Sequence, residues 1–372
     1  MRRSLIVLAA VLPLVLAPSL APGAVAAPDR GNPYIVTLTD GVKATSLAQS
    51  LGVRPRHVYT TALSGFAATL TDAQVLALRR NPHVDRIEPD GQVHAQATQL
   101  DPTWNLDRID ERQPDLDSSY SWQHSGQGVT AYIIDTGLQT SHPEFTGRAA
   151  VAYDVFGGDG QDCNGHGTHL GSIVGGQRYG VAKDVALRSV RVLNCNGSGT
   201  FSGVIEGIDW VAGHHTGPAV ALLALGGSYN EAINNATTGM ADAGVFTAVA
   251  SGASNTDACA FSPASAENVI TTAASDGSDS RASFTNYGPC VDLYAPGVSV
   301  TGAWPGSGTA TLSGTSMAAA HVTGAGAIYR EVDPTSSSAE VNAWVISVST
   351  RNVIKNNPAN TPNRLLYKAP DL

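Results

Sequence analysis

Hydrophobic and polar positions follow two different rhythms along the chain. In the first part, short apolar runs alternate with amphipathic stretches. Tyr34-Ile35-Val36-Thr37-Leu38 predicts a strand ending at the turn pair Asp40-Gly41. Thr45 to Leu51 predicts a short helix stopped by Gly52. His57 to Leu70 alternates around Gly65 and predicts one or two strands. Thr71-Asp72-Ala73-Gln74 has capping-box form ahead of Val75, Leu76 and Leu78, so a second helix starts there. Val84 to Ile87 predicts a last short strand, and Gly91 to Asp101 a polar connector. The order β-α-β-α-β predicts a small α+β domain of ferredoxin-like type.

From about residue 128 the runs become continuously apolar. Val129-Thr130-Ala131-Tyr132-Ile133-Ile134, Val185 to Leu193, Val220 to Leu225 and Val245 to Ala250 read as strands, with helices over Gly203 to Val211 and Asn230 to Ala243. Apolar strands separated by helices predict a parallel sheet covered on both faces. Such sheets place their sites at the carboxyl ends of the strands.

The start of the chain has a third pattern. Arg2 and Arg3 precede an apolar run from Leu5 to Leu20, interrupted by Pro13 and Pro18, and small residues follow at Ala24-Val25-Ala26-Ala27. This is the layout of a cleaved secretory signal. The expected division is a signal over 1–27, a small domain over 28–97 and a large domain over 98–372. No later segment is apolar enough to span a bilayer.

Composition narrows the function. With 42% apolar and 14% charged residues, the 372-residue chain has the makings of a substantial core. A net charge of −9 without a basic stretch excludes nucleic acid as the expected partner. Four cysteines, Cys163, Cys195, Cys259 and Cys290, predict two disulfides in an exported chain, with three possible connectivities.

Three segments carry chemistry. Asp135-Thr136-Gly137 closes the first long strand, Asn164-Gly165-His166-Gly167-Thr168-His169 follows, and Ser313-Gly314-Thr315-Ser316-Met317-Ala318 lies near the end. A serine hydroxyl needs an imidazole base to attack a carbonyl, and the imidazole needs a carboxylate to fix its tautomer. A serine at a helix start also presents its own N–H to a developing oxyanion. His166 and His169 lack the spacing and the glutamate of a His-Glu-x-x-His metal site.

These segments resemble the signatures of the subtilisin-like serine peptidases, the subtilases, and are most similar to the proteinase K and aqualysin branch. The resemblance runs from about Trp104 to Tyr367 and includes Ser141-His142-Pro143-Glu144-Phe145, Phe261-Ser262-Pro263-Ala264 and Asn286-Tyr287-Gly288. It implies an α/β fold with a mostly parallel central sheet, preceded by an inhibitor-type propeptide that assists folding and is cut off near residues 94–98. It implies Asp135 as orienting carboxylate, His166 as base and Ser316 as nucleophile of a secreted, monomeric endopeptidase acting on proteins and peptides. It pairs Cys163 with Cys195 and Cys259 with Cys290. Gly197-Ser198-Gly199 and Ala224-Leu225-Gly226 would flank an extended peptide, and Ala250-Ser251-Gly252 would line the pocket for the residue before the cleaved bond. No cofactor is implied for catalysis. Structural calcium is expected at Asp107, Asp110, Glu111, Asp117 and Ser119, and at Asp292 with the carbonyls of Glu267 and Val269.

The chain also departs from the family pattern. Ala253 stands at the position of the oxyanion-hole asparagine. Asn255, two residues on, reaches that place only if the loop shifts. Ala224 replaces a serine, Leu222 a polar residue, Gly171-Ser172 an Ala-Gly pair and Ala320 a proline. Loss of one oxyanion donor, as in the known case from this same family, costs about 10²–10³ in turnover. The alternative expectation is therefore a catalytically impaired peptide-binding protein.

Overall fold

The computed structural model describes residues 31–91 and 97–369. The expected signal sequence and part of the expected self-cleavage window lie outside these. The chain forms two compact units, Met1–Val93 and His94–Leu372.

In the first unit the order is β1 (Asn32–Leu38), α1 (Ala44–Ser50), β2 (His57–Tyr59), β3 (Gly65–Leu70), α2 (Asp72–Arg79) and β4 (Val84–Pro89). The alternating stretch around Gly65 is two strands, so the pattern is β-α-β-β-α-β. Its antiparallel sheet has the order β2-β3-β1-β4. Val36, Leu38, Phe66, Ala68 and Leu70 bury one face of the sheet against Leu47 and Leu78 of the helices. The reciprocal capping box of Thr71 and Gln74 starts α2.

The second unit opens with β5 (Ala97–Leu100), α3 (Trp104–Ile109) and β6 (Ser119–Trp122). Part of the expected connector is thus a strand: Ala97 to Leu100 pairs antiparallel with Trp122 to Ser119. Then follow β7 (Thr130–Asp135), β8 (Ala149–Asp154), α4 (His166–Gly175), β9 (Ala186–Arg191), α5 (Phe201–His214) and β10 (Ala219–Leu223). Next come β11 (Gly227–Ser228), α6 (Glu231–Asp242), β12 (Val245–Ala250), β13 (Phe261–Ser262), β14 (Ile270–Ser275) and β15 (Leu293–Pro296). The unit closes with β16 (Val300–Trp304), β17 (Gly308–Leu312), α7 (Thr315–Val332), α8 (Ser338–Val348), β18 (Thr350–Arg351) and β19 (Arg364–Leu365).

Nine strands make one sheet in the order β18-β19-β15-β14-β12-β10-β7-β9-β8. All neighbours run parallel except β18 and β19. Alternate residues of one strand feed two cores. Ala131 and Ile133 pack with Leu170 and Ile173 of α4 and with α7, whereas Tyr132 and Ile134 pack with Ile208 of α5 and Met240 of α6. Burial on both faces is why these strands read as unbroken apolar runs.

The sheet order positions the site. The chain leaves β7 for β8 and β9 on one side, then crosses to β10 and β12 on the other. The carboxyl end of β7 is therefore a topological switch point, where the loops diverge and leave a crevice. α7 lies close on the sheet because it presents glycine. A Cβ at Gly326 would fall 2.2 Å from a ring carbon of Phe246. Gly326→Ala should lower stability by about 1–2 kcal/mol, overpacking outweighing alanine's helix preference. Denaturant unfolding of the chain carrying Ser316→Ala, with and without Gly326→Ala, checks this.

Candidate active site

Asp135 ends β7 with no exposed surface. Its Oδ1 accepts the N–H of Thr136 at 2.8 Å and faces Nδ1 of His166 at 2.7 Å. His166 is the first residue of α4 and follows Gly165, whose φ of 114° lies in the left-handed region. The ring of Trp304 fills the space beside Gly165; a Cβ there would sit 2.5 Å from it. Glycine is thus required for both backbone angle and space. Burial works against the protonated His166, but the charge and hydrogen bond of Asp135, with the charge of Asp162, outweigh it and raise the imidazole pKa.

Ser316 lies in the first turn of the 18-residue helix α7, after Gly314. Its main-chain N–H is one of the helix's unpaired donors. Its hydroxyl donates to the carbonyl of Ala224 at 3.1 Å. It makes no hydrogen bond to His166 among the described residues; such contacts are often long in unliganded sites. His166 and Ser316 line adjoining cavities that share Ala224 to Gly227.

The larger cavity, about 590 Å³, is bounded by Gly197, Ser198 and Gly199 on one side and by Ala224, Leu225 and Gly226 on the other, with Leu193, Phe201 and Ile233 supplying apolar surface. Ser198 spends its N–H on the Asn194 side chain and its carbonyl on the Asn194 N–H. The main-chain groups of Leu225 and Gly226 take no hydrogen-bond partner among the described residues. An edge of this kind offers its groups to an extended peptide. The smaller cavity, about 300 Å³, is lined by Ala250, Ser251, Gly252, Ala253, Phe261, Thr315 and Ser316.

The loop after β12 is held from behind. The Asn286 side chain donates to the Ser251 carbonyl at 2.8 Å and accepts the N–H groups of Ser254 and Thr256 at 2.9 and 3.2 Å. Asn255 has a φ of 53° and its side-chain oxygen is taken by the Arg281 guanidinium. Asn255 is not among the residues that line the cavity holding Ser316, and Ala253 brings only a methyl group.

Both disulfides link the pairs implied by the family resemblance, Cys163–Cys195 and Cys259–Cys290. The first ties the loop before His166 to the segment bearing Gly197, and the Asn164 side chain reinforces it by donating to the Cys195 carbonyl at 3.0 Å.

Among the acidic residues near the start of the second unit, oxygens of Asp107, Asp110 and Glu111 lie within 4.8 Å of one another. One oxygen of each faces the N–H of Ser118, Ser121 or Asp117. The other is buried without a partner among the described residues. Burial raises Asp107 and pushes Asp110 and Glu111 up to about 7. Asp117 accepts the Ser119 N–H at 2.8 Å on the adjoining turn. Elsewhere, Asp292 accepts the Thr271 N–H at 2.8 Å, and burial pushes its carboxyl up to about 6. The Glu267 carbonyl accepts the Thr238 hydroxyl at 3.0 Å, and Val269 is buried.

Comparison with known proteins now has a geometry to meet. Residues 126–365 match the subtilase family and residues 33–96 match the peptidase inhibitor I9 family. The chain belongs to the subtilase family. An extracellular serine proteinase of Thermus sp. (strain Rt41A) is 49% identical over 85% of this chain and 78% of its own length. Proteinase R of Parengyodontium album is 38% identical over 90% of this chain and 88% of its own length. A crystal structure of a cold adapted subtilisin-like serine proteinase, 45% identical, superposes with a TM-score of 0.71 over 72% of this chain and 98% of that one. This subtilase is accordingly a serine protease precursor with an inhibitor-type propeptide.

Sequence reading missed Asp162, Asn286 and Trp304 as parts of the site. Asp162 left a local signal, an acidic residue two positions before an Asn-Gly turn, and Asn286 stands in the Asn286-Tyr287-Gly288 run that carries part of the resemblance.

Two buried histidines of this subtilase give its stability a pH dependence. Burial pushes His169 and His321 down to about 4. The unfolded chain, with its ordinary histidines near 6.5, then binds more protons between those values. Stability from this source is complete above about pH 6.5 and falls as pH drops towards 4. In the Ser316→Ala background, the thermal midpoint of His321→Gln should gain on that of the parent chain as pH falls across that window.

Proposed function

We propose that this subtilase is an exported endopeptidase that cleaves peptide bonds through an acyl-enzyme on Ser316, and that it frees itself from its propeptide by the same chemistry. The carrying observation is the Asp135–His166 pair at the switch point, opening onto the same segment after β10, Ala224 to Gly227, that borders Ser316. His166 takes the Ser316 proton as oxygen attacks the carbonyl carbon. Asp135 holds the imidazole with Nδ1–H towards itself and stabilises the cation. The Ser316 N–H faces the oxyanion. Collapse of the intermediate passes the proton from His166 to the leaving amine, and water then repeats the sequence to release the acid. The small side chains of Ala250 and Gly252 favour an apolar residue before the cleaved bond.

Ala253 makes this a slow member of its family, with one fixed donor at the oxyanion instead of two. Ala253→Asn should raise kcat by about 10²–10³ with KM little changed. An unchanged kcat would show that another group already fills the role. Expression of the precursor should give processing near residues 94–98 and turnover of a chromogenic peptide, both lost in Ser316→Ala. A folded precursor that neither processes nor turns over would favour the peptide-binding alternative, with retained peptide affinity as its sign.

We further propose that Asp107, Asp110 and Glu111, assisted by Asp117 and Ser119, hold a structural Ca²⁺. Three buried oxygens without partners fit a hard cation, which would favour the charged carboxylates that burial disfavours. Asp292 with the Glu267 and Val269 carbonyls is a second candidate. Chelator should lower the thermal midpoint of the Ser316→Ala chain, and Asp110→Asn should remove most of that difference. No effect of chelator would remove calcium from the account.

A further inference from the structure

Asp162 belongs to no predicted catalytic role, yet its surroundings are unusual for a loop carboxylate. It takes five hydrogen bonds. Oδ1 accepts the Thr136 hydroxyl at 2.9 Å and the N–H groups of Asn164 and Gly165 at 2.9 and 2.8 Å. Oδ2 accepts the N–H and hydroxyl of Thr168 at 2.9 and 2.6 Å. These donors come from two segments that carry the acid and the base of the proposed triad. Thr136 follows Asp135. Gly165 and Thr168 bracket His166 at the start of α4.

The two hydroxyls extend the clasp. Thr136 Oγ1 also accepts the Gly167 N–H at 2.9 Å, and Thr168 Oγ1 accepts the Gln139 N–H at 2.9 Å. The end of β7 and the start of α4 are thus laced together through one carboxylate. The lacing matters because Asp135 and His166 meet through a single 2.7 Å contact, and Oδ2 of Asp135 is buried without a partner among the described residues. Nothing in that pair alone fixes the helix against the strand.

We propose that Asp162 is a positioning residue for the proposed reaction: it locks the strand end bearing Asp135 to the helix start bearing His166 and places a second negative charge behind the imidazole. The inference rests on His166 acting as the base. The groups facing His166 are Asp135 from β7, Asp162 from the loop before α4 and His169 from the same helix; the hairpin β16–β17 brings the uncharged Trp304 ring against Gly165. Asp162 is thus the second of two carboxylates favouring the imidazolium. An amide at this position turns an NH₂ group towards two or three donors, so Asn cannot replace Asp.

The test is Asp162→Asn in the full precursor, by two readouts. In the Ser316→Ala background, the His166 ring proton followed by NMR against pH should titrate at lower pH than without the substitution. In the active chain, the acid limb of kcat/KM should move the same way, and kcat should fall about tenfold with KM within about twofold. A His166 titration and acid limb that stay in place in a folded variant overturn the proposal, because a merely structural loop residue would lower only the thermal midpoint. Should Asp162→Asn fail to fold, Thr168→Val decides. It keeps the charge and removes the 2.6 Å bond, so kcat should fall about threefold or more at unchanged KM, and an unchanged kcat is contrary. A parent chain without turnover whose His166 still shifts on Asp162→Asn supports the positioning and places the failure in the nucleophilic reading.

Discussion

The structure depends on a carboxylate buried at the end of a central strand. Asp135 is fully enclosed where β7 is flanked by β9 and β10. An ionised group there is tolerable only with fixed partners. The fold supplies them from the helix that begins with His166, from the N–H of Thr136 and, one step behind, from the lacing around Asp162. The parallel sheet must therefore form with β7 at its switch point before the site exists. The two cores on opposite faces of that sheet, filled by alternate residues of the same strands, make that placement rigid.

The same architecture explains where the chain has room to depart from its family. Ala253 is exposed at the mouth of the smaller cavity, and its replacement costs no packing. The loop that carries it keeps its path because Asn286, Thr315 and Thr272 hold its main chain. On the proposed reading, a catalytic donor is absent while its scaffold is intact. In the proposed mechanism, proton transfer rests on other residues, Asp135, His166 and Asp162.

How much of this was legible in the sequence depended on whether the physics was local. Val245 to Ala250 read correctly as a strand because every residue is buried and all but Thr247 are apolar. Asn230 and Ala243 were placed at the ends of a helix because Asn230 caps it through Ile233 and Gly244 follows its end. Ala97 to Leu100 read as connector because its strand character comes from pairing with Ser119 to Trp122, which no local pattern announces. The motifs around Asp135, His166 and Ser316 were legible as chemistry. The turn of the Ser316 hydroxyl towards Ala224, the commitment of Asn255 to Arg281 and the five bonds of Asp162 are tertiary facts. The acidic run from Asp107 to Asp117 was legible as composition, whereas the three unpaired buried oxygens that give it meaning were not.

The central claim is that Ser316 is a nucleophile activated by His166. Its most direct measurement is the mass of the processed chain after exposure to a serine-directed sulfonyl fluoride, with the modified residue located by peptide sequencing. The account predicts one sulfonyl group, on Ser316, lost in a His166→Ala chain whose propeptide has been removed by an added protease, and kept on Ala253→Asn. A folded, processed chain that takes no label at Ser316, or that labels equally well without His166, would contradict it.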